Sequence, residues 1–308
     1  MTSTSWTIDV AGVAVRVTAA DPRHVACATD RLGAVETDDA AEIELTLGPA
    51  APAVDTVAPA QELENWTARD ADGVVWIGAE TTWARIDGRR VEVGGPVLTP
   101  GDVDVFDDLL QFAIAVAVAG PSRLMVHAAV IARGPEALLL VGRSGSGKST
   151  LAAAALLGGW GLMGDDLAII DTSTMDVRAV SRPPMVPREI AELHGLEGTI
   201  APGERRRLRL PLERLTPGVR RLIGMVAVDH GDAGHLEFLG TGDVEVLDDA
   251  LAVPPFRGVI RRQLAAGAAL VDLPAVALAH AADLGTRVER ANALLEEAWT
   301  ALGGRAAQ

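Results

Sequence analysis

Residues 142–149 read Gly-Arg-Ser-Gly-Ser-Gly-Lys-Ser, between an apolar run, Ala137–Val141, and an alanine- and leucine-rich stretch, Ala152–Leu157. This is the pattern G-x-x-x-x-G-K-[ST] in the strand–loop–helix setting that gives it meaning. A loop that wraps phosphates with backbone N–H groups needs a strand to deliver it and a helix whose N-terminus faces the same ligand. The motif therefore constrains the fold to an α/β arrangement. Gly142, Gly145 and Gly147 allow positive φ and close approach. Arg143, Ser144, Ser146 and Thr150 complete the cradle, Lys148 reaches the β- and γ-phosphates, and Ser149 is placed to ligate Mg²⁺. Composition sharpens the point. Lysine and arginine total 27, and Lys148 is the one lysine among them. Lysine is a compact point charge suited to phosphate oxygens, whereas arginine is a planar fork. A chance match has no reason to hold the chain's single lysine.

The first hundred residues read as β-rich. Thr7–Val10 and Val13–Val17 alternate around Ala11-Gly12; Trp83–Ile86 and Val91–Val93 flank Asp87-Gly88; Glu42–Leu47 and Val74–Ile77 add strands. Residues 48–60 read as a loop. Trp6, Trp66, Trp76 and Trp83 are expected in the core. Gly94-Gly95-Pro96 and Pro100-Gly101 then break the pattern, which places a boundary near residue 100: a β-rich domain over 1–100 and a P-loop catalytic domain over 101–308. Asp102 or Asp104 caps a helix running to about Ala119. Leu124–Ala132 and Ala137–Val141 read as a hairpin around Gly134-Pro135. A helix begins near Lys148 and ends at Gly158-Gly159. A short strand follows, then a hairpin from Leu167–Ile170 and Val177–Val180. Met225–Val228 and Val276–Ala279 are strand candidates, with one or two helices expected within 243–270. Leu284, Val288, Ala291, Leu295, Ala298 and Leu302 make the apolar stripe of a final helix.

Chemistry-bearing residues cluster around the loop. Asp165-Asp166 follows Lys148 closely enough to leave room for one helix, a turn and a short strand. A strand returning beside the loop would deliver these carboxylates to the phosphates. Neighbouring strand residues face opposite ways, so the two take different jobs unless the chain turns there. The competing reading is a solvated Asp-Asp turn. His127 is aimed at the same place by hairpin arithmetic: a turn at Gly134-Pro135 pairs residues whose numbers sum to about 269, which sets His127 across from Gly142. There it would share a proton with an aspartate base. Its plain alternative is a structural histidine in an apolar strand. Arg205, Arg206, Arg207 and Arg209, with Arg214, Arg220 and Arg221 beyond, form the densest basic cluster. They read either as a clamp for an acidic substrate or phosphate, or as a solvated loop flank. His24, His194, His230, His235, His280 and Cys27 show no metal-ligand spacing.

A net charge of −15 argues against a nucleic-acid partner. No apolar run is long enough to span a bilayer, no signal-peptide pattern opens the chain, and one cysteine permits no internal disulfide; the expectation is a cytoplasmic protein without a membrane partner. A homo-oligomer stays an open alternative.

His127-Ala128-Ala129, the run Gly142–Thr150 and Gly164-Asp165-Asp166 together resemble the catalytic domain of HPr kinase/phosphorylase and its smaller stand-alone relatives, the HPr-kinase-related kinases. They also look like the phosphoenolpyruvate carboxykinases, whose P-loop is followed closely by a Gly-Asp-Asp. The resemblance covers about residues 105–182. It implies an ATP- and Mg²⁺-dependent kinase in which the aspartate pair supplies the general base and metal binding, with the histidine assisting. Carried over, Asp166 is the base and Asp165 the metal-side partner, or the reverse. The acceptor would be a hydroxyl of a peptide or protein serine or of a small molecule. Family members that act on HPr have glycine after the histidine, where this chain has Ala128, and their Glu-Val-Arg-Gly segment has no counterpart. The reading from a different class is a non-catalytic ATP-binding regulator or scaffold. A transporter ATPase is disfavoured, because no Leu-Ser-Gly-Gly-Gln segment is present.

Overall fold

The computed structural model describes residues 3–33, 35–48, 61–63, 66–71, 73–79, 82–95, 100–143, 145–182, 184–200, 207–230, 235–241, 266–280 and 288–303. It is a mixed α/β chain with several sheets. The described residues fall into two compact units, one ending at Leu124 and one beginning at Met125.

The first unit is built on an eight-stranded sheet. Strands β1 (Thr4–Val10) and β2 (Val13–Ala19) form a tight hairpin, with positive φ at Ala11 and Gly12 as a two-residue loop requires. Helix α1 (Pro22–Leu32) crosses to β3 (Ile43–Gly48), which lies parallel to β2. The sequence reading has no helix here. The signal is nonetheless local: Asp21 accepts from the Arg23 N–H as an N-cap and Pro22 sits at the first helical position. His24, Cys27, Ala28 and Leu32 form its buried face. An antiparallel meander follows through β4 (Gln61–Leu63), β5 (Trp66–Ala71), β6 (Val74–Ala79), β7 (Thr82–Asp87) and β8 (Arg90–Gly94), with β8 returning beside β3. Helix α2 (Pro100–Val118) packs on β7 and β8 and buries Phe106, Leu109, Leu110, Ala113 and Ile114. The composition change near residue 100 marks the start of this helix, and the compact unit extends through it. Trp6, Trp76 and Trp83 are half-buried, not core. Val75 and Ile77, one residue either side of Trp76, take the buried face of the strand. Trp66 and residues 49–60 lie outside what can be described of side chains and chain path respectively.

The second unit carries β9 (Arg123–His127) from Met125 onward, β10 (Ala129–Arg133), β11 (Glu136–Val141), helix α3 (Lys148–Leu157), β12 (Gly161–Gly164), β13 (Leu167–Asp171) and β14 (Asp176–Ala179). Three short strands, β15 (Met185–Pro187), β16 (Thr199–Ile200) and β17 (Arg207–Arg209), make a separate small sheet, with helix α4 (Arg188–Leu193) packed beside it. The long β18 (Arg220–His230), then β19 (His235–Gly240), β20 (Ala275–His280) and helix α5 (Val288–Ala301) complete it. The main sheet runs β12-β10-β11-β18-β14-β13-β9, with β20 also on β18 and β19 on β20. β11, β18 and β20 are mutually parallel. One face alternates strictly: Ala129 and Ile131, Leu138 and Leu140, Val226 and Val228, Val276 and Leu278 all bury against α3 and α5. The expected final stripe holds for Ala291, Leu295, Ala298 and Leu302, joined by Leu294 and Trp299. Leu284 and the helices expected before residue 266 lie outside the described residues.

Candidate active site

β11 ends at Val141 and the chain turns at Gly142, whose φ is +144°. A Cβ there would sit 2.5 Å from the Val228 carbonyl oxygen and 2.8 Å from Ser146 Oγ, so only glycine lets the loop close against β18. The Ser146 N–H donates to the Arg143 carbonyl at 3.0 Å, and Gly147, in a left-handed conformation, opens α3 with no side-chain cap. Gly147 supplies no side-chain acceptor to the first-turn N–H groups of α3, which lie at the mouth of the loop, where an anion site places them. Lys148 is buried, and its ammonium donates to the carbonyls of Gly142 and, at 3.2 Å, Arg143. Ser149 and Thr150 are half-buried. Ser144 lies outside the described residues.

A cleft of about 270 Å³ opens over this loop, and Asp165, Asp166, His127, Pro187 and Arg207 form its other walls. The topology explains why the aspartates arrive there. β12 is antiparallel to β10, which is antiparallel to β11, so β12 and β11 run the same way and end at the same edge. Gly164, the last residue of β12, allows close passage of the chain leaving β14: a Cβ at Gly164 would lie 2.8 Å from Ala179 Cβ. Two residues beyond β14, Arg182 and Met185, hold the two carboxylates. The Met185 N–H donates to Asp165 Oδ2 at 2.6 Å, and Arg182 Nη1 lies 2.8 Å from Asp166 Oδ2.

The two aspartates are consecutive but differently housed, because the chain bends between β12 and β13. Asp165 is buried, and its Oδ1 has no hydrogen-bond partner among the described residues. Burial pushes its carboxyl pKa up; the Arg182 charge and the Met185 N–H pull the other way. Asp166 has side-chain exposure of 16%, with Oδ1 3.3 Å from His127 Nε2 and Oδ2 on Arg182. Its backbone carbonyl accepts from the Ala128 N–H at 2.9 Å, which ties the β9–β10 junction to the aspartate turn.

His127 reaches the cleft by a different route from the one the hairpin arithmetic describes. Residues 129–133 pair with 136–140 at a sum of 269 throughout. The pairing stops at Ala129. The chain breaks step at Ala128, and His127 belongs to β9, which borders β13 and not β11. It therefore faces Asp166 and not Gly142. Of the arginine cluster, Arg205 and Arg206 lie outside the described residues, Arg207 lines the cleft over the Lys148 loop, Arg209 ends β17, Arg214 is exposed, and Arg220 and Arg221 sit on β18. Arg182 is the residue that sequence reasoning misses. No motif marks it, since its role depends on where the crossing after β14 lands.

A magnesium ion bound with nucleotide fits this donor set. Asp165 offers a buried oxygen that nothing among the described residues satisfies, and Ser149 offers a hydroxyl from the loop. Magnesium characteristically takes one or two protein oxygens and fills its octahedron with phosphate oxygens and water. Among the described residues no cluster of three or more His, Cys, Asp or Glu forms an all-protein metal cage. No helix among them is long and apolar enough to cross a membrane.

No family model matches the chain, and no curated protein matches it. Among solved structures it is similar to the Hpr(Ser) kinase/phosphatase from Coxiella burnetii, at 12% sequence identity over 58% of this chain and 99% of that one, with a TM-score of 0.29. A likeness at that level is a distant structural relation.

Proposed function

We propose that this chain is a Mg·ATP-dependent kinase of the P-loop type typified by HPr kinase and phosphoenolpyruvate carboxykinase, transferring the γ-phosphoryl group to a hydroxyl of a peptide or protein serine or of a small molecule. The observation that carries this reading is that Asp166, clamped between His127 and Arg182, opens on the same cleft as the Lys148 loop. Binding Mg²⁺ with nucleotide accounts for one carboxylate beside the loop, Asp165; Asp166 is a second one, left for the acceptor.

In this reading the Lys148 ammonium exchanges its two carbonyl partners for β- and γ-phosphate oxygens, while the first-turn N–H groups of α3 hold the phosphate chain. Asp165 and Ser149 would hold Mg²⁺, which when bound neutralises charge on the β- and γ-oxygens. The acceptor hydroxyl sits against Asp166. Its oxygen forms the new bond to phosphorus, the bond from phosphorus to the β-bridging oxygen breaks, Asp166 receives the proton, and ADP leaves. Phosphoryl transfer passes through a loose transition state, so alignment of the hydroxyl counts for more than the strength of the base. A carboxylate fixed by a guanidinium suits that requirement.

The test is calorimetric titration with Mg·ATP, followed by coupled detection of ADP with serine peptides, free serine and small polyols as acceptors. Binding with ADP formation above the water-only rate for at least one acceptor class is expected. Binding without transfer to any of them would leave the non-catalytic regulator, and no binding would remove the nucleotide reading altogether.

A further inference from the structure

The nucleotide loop occupies one end of β11. At the other end, beside the Gly134-Pro135 turn, lies a second cleft of about 390 Å³, walled by Arg133, Gly134, Trp160, Gly161, Thr216 and Arg220. β11 has six residues, which separates the two clefts by about 20 Å of strand.

Three features of this cleft lack an explanation among the described residues. First, Arg220 is half-buried, and its one hydrogen bond among the described residues runs from Nη1 to the Val219 carbonyl at 2.8 Å. Its Nε is buried with no partner, and no carboxylate among the described residues lies within ion-pair distance. The chain has 42 acidic residues against 27 basic ones. The Arg220 charge thus lacks a counter-ion among the described residues of a chain that has more acid than base. Second, the Trp160 indole N–H, in the same wall, is also buried without a partner, where tryptophan ordinarily finds one. Third, the Arg133 guanidinium lies 3.9 Å from the Trp160 ring centroid and 5.9 Å from that of Trp299, held in place by Glu296. Among the described residues two guanidinium groups thus face one carboxylate, which leaves one positive charge without a counter-ion there.

We propose that this cleft is a binding site for a small anionic metabolite bearing phosphate or carboxylate, with Arg220 as its counter-ion and the Arg133–Trp160 stack as its platform. The volume falls at the low end for small-molecule sites and exceeds the need of a bare anion. Thr216 supplies a hydroxyl, and the glycine-lined floor lets a ligand approach backbone. One effect opposes an anion here: α3 ends at Leu157, so its C-terminal partial negative charge points this way. The carbonyls of Ala154, Ala155 and Leu156 are already taken by the N–H groups of Gly158, Trp160 and Gly159, which blunts that field and leaves the guanidinium charges dominant.

The test is calorimetric titration of the full chain with inorganic phosphate, citrate and a hexose phosphate at constant ionic strength, in wild type, Lys148→Ala and Arg220→Gln. At least one probe should bind wild type and Lys148→Ala equally, and bind Arg220→Gln about tenfold or more weakly, the loss expected when a charged hydrogen-bond partner is removed. Gly134→Asp is the second variant. Its φ of +58° is one aspartate tolerates, nothing lies within 4 Å of the new Cβ, and the added carboxylate should repel the same probe. If none of the three probes binds, if binding is lost in Lys148→Ala, or if it survives unchanged in both Arg220→Gln and Gly134→Asp, the proposal is overturned.

Discussion

Replacing Arg182 by methionine removes a guanidinium 2.8 Å from Asp166 Oδ2 while keeping most of the side chain's length. The side chains of the pair are 15% and 16% exposed, so water screens them only in part. Stripping one partner from a buried pair costs about 3–5 kcal/mol. Here Asp166 keeps some solvent and keeps His127 at 3.3 Å, so a loss of about 2–3 kcal/mol is expected. Asp166→Asn leaves an amide oxygen that still accepts from Arg182, so its cost should be about 1–2 kcal/mol. The double variant removes the orphaned charge along with its partner and should lose much less than the sum, giving a coupling of about 1.5–3 kcal/mol. Urea unfolding of the four proteins, with equal m-values, measures it. Additivity within about 0.5 kcal/mol would refute the pairing. The same variants separate positioning from phosphate contact. Arg182 does not line the cleft, so Arg182→Met should leave Mg·ATP affinity unchanged while transfer falls by about 10²-fold through misplacement of Asp166. Arg182→Lys, which restores a cation for a single contact, should recover part of that rate.

Three further outcomes follow from the same geometry. Lys148→Ala should keep the fold and weaken Mg·ATP binding by roughly 10- to 150-fold, the equivalent of one charge-assisted hydrogen bond, measured by calorimetry on protein checked by circular dichroism. Asp165→Asn should raise stability by about 1 kcal/mol, since it removes a desolvated carboxyl whose Oδ1 is unsatisfied, while abolishing the magnesium dependence of nucleotide binding; a destabilised variant with intact magnesium dependence would contradict that assignment. Arg207→Ala should weaken the grip on the γ-phosphate or acceptor and spare ADP affinity, and equal losses for ADP and ATP would place this arginine elsewhere.

The loop from Gly142 to Thr150 was legible because everything it needs is contiguous: a strand, glycines, one lysine and a helix start. The Asp87-Gly88 hairpin and the 129–140 register were legible for the same reason, since turn chemistry and a period of two set them locally. His127 illustrates the boundary of that reasoning. The register arithmetic holds for five residues and fails where the chain changes partner at Ala128, a switch dictated by how β13 borders β9 and not by any local signal. Arg182 and the Met185 N–H lie further beyond reach, because they meet the aspartates only through the crossing that Gly164 permits. Helix α1 is a different case. Asp21-Pro22 and the buried spacing of His24, Cys27, Ala28 and Leu32 are plain helix signals, masked by the alternating strands on either side.

The central claim is that the γ-phosphoryl group leaves ATP for a hydroxyl under the control of Asp166. The direct measurement follows ³¹P NMR of Mg·ATP with an acceptor panel of serine peptides and small alcohols, in wild type and Asp166→Asn at equal nucleotide occupancy. The account predicts a phosphomonoester resonance with wild type, appearing about 10²- to 10⁴-fold more slowly with Asp166→Asn. Bound ATP that stays intact with every acceptor, or an Asp166→Asn variant that transfers as fast as wild type, would contradict it.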